Sequence, residues 1–419
     1  MSKSKINFKK VNKNKIIKIL IFVFVLIVAW LTMLWSNNIE RTLNSNYYNS
    51  DSFNLVSGEN CEGESLKVYF IDVGCADATF IEFPDGKKAL IDCAGDSLNV
   101  EKSCQALSLF LEKNIFLNCE KIIDYLVITH PDSDHYSGAK DILKNYTIFN
   151  IIRPKVVSKS EKELFSNDGM NDERDSYVVK DTDSYQSLID CIYSKLNENS
   201  KTKMIFAQKG LDFSTSDYTF KFLSPKKIYY EEWNDYSPFI RISYKEKSIT
   251  LVGDAESEME NEVLDSYGIN FGKLKTNVLK IAHHGSNSSS SYELLRATFP
   301  ETVVVSTRLG VYENVPSSDV LDRVLEVNPS CEILRTDKNG NILVCVDENG
   351  NLGKFVSVGS FYYVNHYVFV KWYSVLICFS VCFYIFMFKV SPKKRSNKQK
   401  DKKEKLKKEI KLWINQLML

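Results

Sequence analysis

The sequence predicts an α/β domain, two sheets flanked by helices, over residues 65–358. Three observations carry this: short β-like apolar runs recur, turn residues separate them, and helix-spaced segments alternate with strands in the second half. LKVYFIDVG from Leu66, ATFIEF ahead of Pro84-Asp85-Gly86, and KALIDCAG read as three strands joined by tight turns. Residues 100–114 have helical spacing through Val100, Cys104, Leu107, Leu109 and Leu111. IDYLVITH is a buried strand, and 137–146 is a helix. The charged stretch 155–182 reads as a surface insertion leading into a helix at 184–197. Strands recur at YTFKFL, FIRISY, SITLVGD, NVLKIAH, TVVVST, EILRT and NILVCV, with helices near 255–266, 290–298 and 317–327.

The chain is 44% hydrophobic and 26% charged, with only 17 Gly and 9 Pro in 419 residues, which excludes a collagen-like or wholly disordered polymer. Its net charge of +1 conceals three unlike parts. Residues 1–35 hold seven Lys and no acid, and 367–419 hold 13 basic and three acidic residues. The region between, 36–366, has 34 basic against 50 acidic residues, a poor match to a general nucleic-acid binder.

Two uncharged apolar runs stand at the borders of these blocks, at 19–35 and 372–388. Each spans roughly 26 Å as a helix, close to the hydrocarbon thickness of a bilayer. They predict two transmembrane helices, at 19–35 and 367–390. Lys3 to Lys18 precede the first; Lys389, Lys393, Lys394, Arg395 and Lys398 follow the second. Positive charge stays on the cytoplasmic side. The expected layout is therefore basic cytoplasmic tails at 1–18 and 391–419, a polar linker at 36–64, and the acidic domain outside. The lipid bilayer is the partner this implies; no protein partner is legible. Of ten Cys, none forms a CxxC pair, so a zinc ribbon is excluded. Buried free thiols and extracytoplasmic disulfides both fit.

Four of the five His lie in two short motifs, each directly after an apolar β run: THPDSDHYSGA, with His130 and His135, and IAHHGSNSSSS, with His283 and His284. HxDxDH offers four ligands within six residues: His130, Asp132, Asp134 and His135. Mixed imidazole and carboxylate donors suit Zn²⁺ or Mn²⁺. SITLVGDAE ends a strand on Asp254, placed to bridge two ions. Taken singly, Asp254 reads as a helix cap, the His pair as core residues and HxDxDH as a turn; together they point to a metal centre.

The series FIDVGxxDA, LIDxxG, THxDxDHxxG, LxGDxE and LKxxHHGSxxS, over about 66–346, resembles the metallo-β-lactamase-fold domain at the C-terminal end of ComEC-type DNA-uptake proteins. The many-helix channel of those transporters is not matched. The resemblance implies an αββα sandwich with a dinuclear site along one edge of the sheets. By matching position, His130 and Asp132 serve one ion, Asp134 and His135 the other, and Asp254 bridges. Asp92 and Asp77 stand behind the ligands. His283 is preferred as the remaining ligand, with His284 as a transition-state donor and Ser286 as a hydrogen-bonding partner of a substrate oxygen. Cys75 and Val315 depart from the family pattern, which has Gln and His there.

The implied chemistry is hydrolysis by metal-activated water, with Asp134 or Asp254 orienting the nucleophile. The expected substrate is a phosphodiester or nucleic acid, received by a basic lip of Lys273, Lys275, Lys280 and Arg308. The alternatives are an envelope phosphoester, lactam or lactone hydrolase, and a non-catalytic metal-binding sensor.

Overall fold

The computed structural model describes residues 63–167, 176–268, 272–308, 311–312, 314–357, 404 and 407. The two apolar segments at 19–35 and 367–390 lie outside the described residues, as do most of the linker and both basic tails. None of the described helices is long and apolar enough to cross a membrane.

Sixteen strands are described: β1 (Leu66–Phe70), β2 (Thr79–Glu82), β3 (Lys88–Ile91), β4 (Ile122–Val127), β5 (Thr147–Arg153), β6 (Val156–Val157), β7 (Val178–Val179), β8 (Lys203–Phe206), β9 (Tyr218–Phe222), β10 (Ile240–Tyr244), β11 (Lys247–Leu251), β12 (Val278–Lys280), β13 (Thr302–Val305), β14 (Glu332–Arg335), β15 (Ile342–Val346) and β16 (Leu352–Val356). Eight form one sheet in the order β16-β15-β1-β2-β3-β4-β5-β8, and six form a second in the order β14-β13-β12-β11-β10-β9. Strands β6 and β7 pair separately.

One apolar cluster joins the facing sides of the two sheets. From the first sheet come Leu66, Val68, Phe70, Ile81 and Val344; from the second, Phe220, Ile240, Ile242, Val278 and Val304. Phe83, just past the end of β2, stacks on Tyr218 of the second sheet, ring centroids 4.6 Å apart. The other faces are covered by helices: Tyr69 and Leu90 share a core with Leu107 and Phe110 of the helix Val100–Phe110, and Leu279 and Val303 share it with Met259, Leu294 and Val320. Strands buried on both faces read as continuous apolar runs, which is why they were conspicuous in the sequence. The result is the expected αββα sandwich.

Five strands escape a reading by pattern: β6 and β7, within the stretch read as an insertion, and β5, β8 and β16. In β5, Asn150 breaks the apolar run, but its amide donates to the Asp124 carbonyl at 3.0 Å. Strand β8 is only four residues long, and β16 is a partly exposed edge carrying Gly353 and Lys354. The expected helix at 137–146 is two pieces, Ser133–Tyr136 and Ala139–Asn145.

The stretch at 155–182 is more than a surface insertion. Val156, Val157 and Glu161 are buried, and Glu161 pairs with the guanidinium of Arg153. Cys345 is in a disulfide, whereas Cys75, Cys93, Cys104, Cys119, Cys191 and Cys331 are free.

The topology sets where chemistry can occur. Strands β3, β4 and β5 run parallel in the first sheet, and β11, β12 and β13 run parallel in the second. Loops leaving the carboxyl ends of parallel strands open a crevice at that edge. Asp92 follows β3, His130 follows β4, Asp254 follows β11 and His283-His284 follow β12, so all four motifs arrive at one edge.

Candidate metal centre

Ligand atoms of Asp134, His135, Asp254 and His284 all lie within 4.8 Å of one another. His135 Nε2 is 3.2 Å from Asp254 Oδ2, and His284 Nε2 is 3.2 Å from Asp134 Oδ2 and 3.4 Å from Asp254 Oδ2. His135 and Asp254 are buried, yet His135 Nε2 and Asp254 Oδ1 have no aligned hydrogen-bond partner. A buried polar atom without a partner is costly, and a cation between these groups satisfies it. Two imidazoles and two carboxylates, converging from separate loops, are a donor set that fits a divalent cation such as zinc or manganese.

Each ligand is held from behind. Asp92 Oδ2 accepts from His135 Nδ1 at 2.7 Å, leaving Nε2 to face the centre. The same carboxylate takes the Thr129 amide and hydroxyl, both at 2.8 Å, which ties the loop after β3 to the loop after β4. His284 Nδ1 donates to the Ser306 carbonyl at 2.9 Å, after β13. Asp77 receives Lys280 Nζ at 2.5 Å, behind the ligands. Asp92 thus backs His135, and Asp77 is paired with Lys280.

Two glycines make the loops fit. A Cβ on Gly95 would come 2.3 Å from the Ser133 carbonyl oxygen, beneath the ligand-bearing turn. Gly285, at φ +87°, would bring a Cβ to 2.7 Å from Pro316. Its neighbours His283 and His284 also have left-handed backbones, at φ 47° and 53°. Such strain in side-chain-bearing residues concentrates at functional sites.

The backbone kink decides between the two His. The sequence reading preferred His283 as ligand, and the geometry reverses this: His284 joins the quartet. His283 turns to the rim, with Nδ1 2.9 Å from Glu256 Oε1, and lines the cavity. Ser286 is not brought to the centre; its hydroxyl pairs with Ser288 at 3.0 Å, outside the cavity lining. Ser286→Ala is therefore expected to change turnover less than about threefold in steady-state assays, a surface substitution in effect.

His130 and Asp132 adjoin the quartet without entering it. His130 is fully buried, with Nδ1 near Thr129 and Ser237 hydroxyls at 3.1 and 3.2 Å. Its Nε2 is 3.7 Å from Asp132 Oδ2. Asp132 Oδ1 is taken by Lys180 Nζ at 2.8 Å. Nothing in the sequence marked Lys180, because it belongs to the charged stretch before the helix Asp183–Glu198.

The electrostatics follow from burial and close opposite charges. Burial alone pushes a carboxyl up, but His135 and His284 outweigh it, holding Asp134 down at about 2 and Asp254 well below its usual range. Burial opposes the charged imidazole, but Asp254 and Asp134 raise His284 to about 9, and Asp254, Asp92 and Asp134 raise His135. His130 is lowered by burial and by His135. The Cys75 thiol is buried and pushed up to about 12, so it stays protonated.

A cavity of about 480 Å³ opens on the quartet, walled by Asp132, Asn234, His283, Tyr312 and Val315 among others. The expected basic lip is not assembled. Lys280 is buried on Asp77, Arg308 faces Asp96 at 3.6 Å, and Lys273 and Lys275 precede β12, at the opposite end from its His pair.

Residues 72–307 match the metallo-beta-lactamase superfamily. The chain is 27% identical over 290 residues to ComE operon protein 3 of Bacillus subtilis, covering 67% of this chain and 33% of that protein. It is 27% identical over 273 residues to Recombination protein 2 of Haemophilus influenzae, covering 65% of this chain and 28% of that protein. The chain thus spans about a third of the length of these relatives. Among solved structures, the metallo-beta-lactamase fold protein YhfI from Bacillus subtilis aligns over 70% of this chain and 99% of its own, at 13% identity and a TM-score of 0.39.

Proposed function

The chain belongs to the metallo-beta-lactamase superfamily, and from that premise we propose that it is a metal-dependent hydrolase of phosphodiesters, acting outside the cytoplasm from a membrane anchor. The observation that carries the reading is the Asp134, His135, Asp254 and His284 set, buried except for the half-buried Asp134, with His135 Nε2 and Asp254 Oδ1 left without a hydrogen-bond partner. Similarity to proteins named for competence and recombination supports a nucleic-acid substrate. The Lys pattern around the apolar segments and the disulfide at Cys345 support the extracytoplasmic placement.

The quartet would hold the ion, and His130 and Asp132 adjoin it without entering it. A divalent cation bound there supplies Lewis acidity and a water acidified to near neutrality. This chain's residues do the rest. Asp134 and Asp254 present carboxylate oxygens at the cavity floor to orient an attacking water. Asp92 keeps His135 in the tautomer that leaves Nε2 free. His283, half-buried at the rim and turned towards Glu256, is placed to donate to the leaving oxygen.

The test is turnover of bis-p-nitrophenyl phosphate and single-stranded DNA by the purified chain with Zn²⁺ or Mn²⁺, abolished by a chelator and restored by the ion. Lack of turnover with every divalent ion rejects the reading. Metal affinity is expected to weaken as pH falls below about 9, because protons then compete for His284. Competition with a chromophoric chelator across pH 6 to 9 measures it.

One observation favours a second reading, hydrolysis of a small neutral or cationic ester, lactone or lactam: the mouth has the apolar Val315 on its wall and, among the described residues that line it, no lysine or arginine for a polyanion. Salt-independent turnover of such esters, with none of DNA, would select it.

A further inference from the structure

We propose that Lys180 stands in for the second cation, so that the site takes one divalent ion, in the Asp134, His135, Asp254 and His284 set, while the Lys180 ammonium receives an anionic oxygen of the substrate. The inference deepens the hydrolase reading and rests on it.

The donor count is the first ground. Among the described residues, the groups whose ligand atoms gather within 4.8 Å are the quartet and the Asp77, Asp92, His135 cluster; neither contains His130 or Asp132. A second ion would have two ligands of its own, His130 Nε2 and Asp132 Oδ2, and would compete for Asp254. Sites for zinc take three or four protein ligands in nearly all cases.

The second ground is that Asp132 already has its positive charge. Lys180 Nζ lies 2.8 Å from Asp132 Oδ1 and 4.5 Å from the centre of the Trp233 ring. A dication on Oδ2 of the same carboxylate would face that ammonium as a like charge at short range.

The third ground is that Lys180 is built in, unlike an exposed lysine. Its side chain is 15% exposed. Its backbone N–H donates to the Val157 carbonyl at 2.9 Å, continuing the β6–β7 pair, and Thr182 caps the following helix through the Tyr185 N–H at 3.3 Å. Asp132, which lines the cavity, and the Trp233 face therefore fix the ammonium beside the cavity wall. An ammonium has three N–H donors; one is spent on Asp132, and the others remain for a phosphoryl or carboxylate oxygen.

The experiment is equilibrium dialysis of the full chain in detergent against Zn²⁺ or Mn²⁺, with ions per chain counted by mass spectrometry. Wild type and Lys180→Arg are expected to hold one ion. Lys180→Met is expected to hold two, its second affinity tightened roughly 10–100-fold by release of Asp132. Asp132→Asn is expected to keep one, since the quartet is intact. At ion concentrations that fill the first site alone, Lys180→Met is expected to raise KM for an anionic ester more than it lowers kcat. Two ions of similar affinity in the wild type, one ion in both wild type and Lys180→Met, or loss of the ion in Asp132→Asn would each overturn the proposal and leave the hydrolase reading standing. Absence of any ion from all four proteins would overturn both. The expected counts without turnover of any ester would uphold the single-ion site and remove the hydrolase reading.

Discussion

Asp254→Asn protein is expected to leave dialysis against Zn²⁺ or Mn²⁺ without bound metal and without measurable turnover. Asp254 is 2% exposed, and its Oδ2 lies 3.2 Å from His135 Nε2 and 3.4 Å from His284 Nε2, so it joins the two imidazoles of the quartet. The amide keeps the shape and removes the charge. Loss of an outer-sphere contact weakens metal by roughly 10–100-fold, and loss of a ligand carboxylate should exceed that. The fold should persist, because the sandwich core lies away from this edge; circular dichroism checks it. Retention of the ion by Asp254→Asn would show that the quartet does not hold the metal.

Lys280→Met is expected to destabilise the domain by about 3–5 kcal/mol, the cost of breaking a buried ion pair by removing one partner. Lys280 is 2% exposed, with Nζ 2.5 Å from Asp77 Oδ2 and donating to the Ile281 carbonyl at 3.1 Å. Burial opposes its charge, but Asp77 and Asp254 outweigh burial and hold its pKa above the ordinary value, so it stays an ammonium. Without it, Asp77 loses its ammonium partner and keeps only the more distant His135 Nδ1 at 3.9 Å and His284 Nδ1 at 3.8 Å. Thermal unfolding should show a fall in Tm of roughly 10 °C. Lys280→Met with Asp77→Asn should recover most of it, because the buried charge is then gone from both sides. A single variant as stable as wild type would contradict the pairing.

The ligand motifs were legible because a metal site needs rare residue types at strand ends, and period and turn signals mark strand ends well. The αββα layering was legible because strands covered on both faces must be apolar throughout. What the pattern could not supply was direction. Adjacent His283 and His284 differ only in the backbone kink that turns one inward and the other to the rim. Lys280 reads as a surface cation until its strand is seen to be central, where only Asp77 makes its charge tolerable. Lys180 sits 48 residues from Asp132, its partner, and no local pattern reports a contact made across that separation.

Gly285 has an unusual bearing on how this protein can vary. It offers no side chain to any ion or ester, yet Pro316 occupies the space a methyl group would need, and its backbone is one that alanine adopts only under strain. Saturation mutagenesis scored for activity should find this position as intolerant as the histidines beside it. On that expectation the loop's shape, and not only its chemistry, limits which sequences can carry this site.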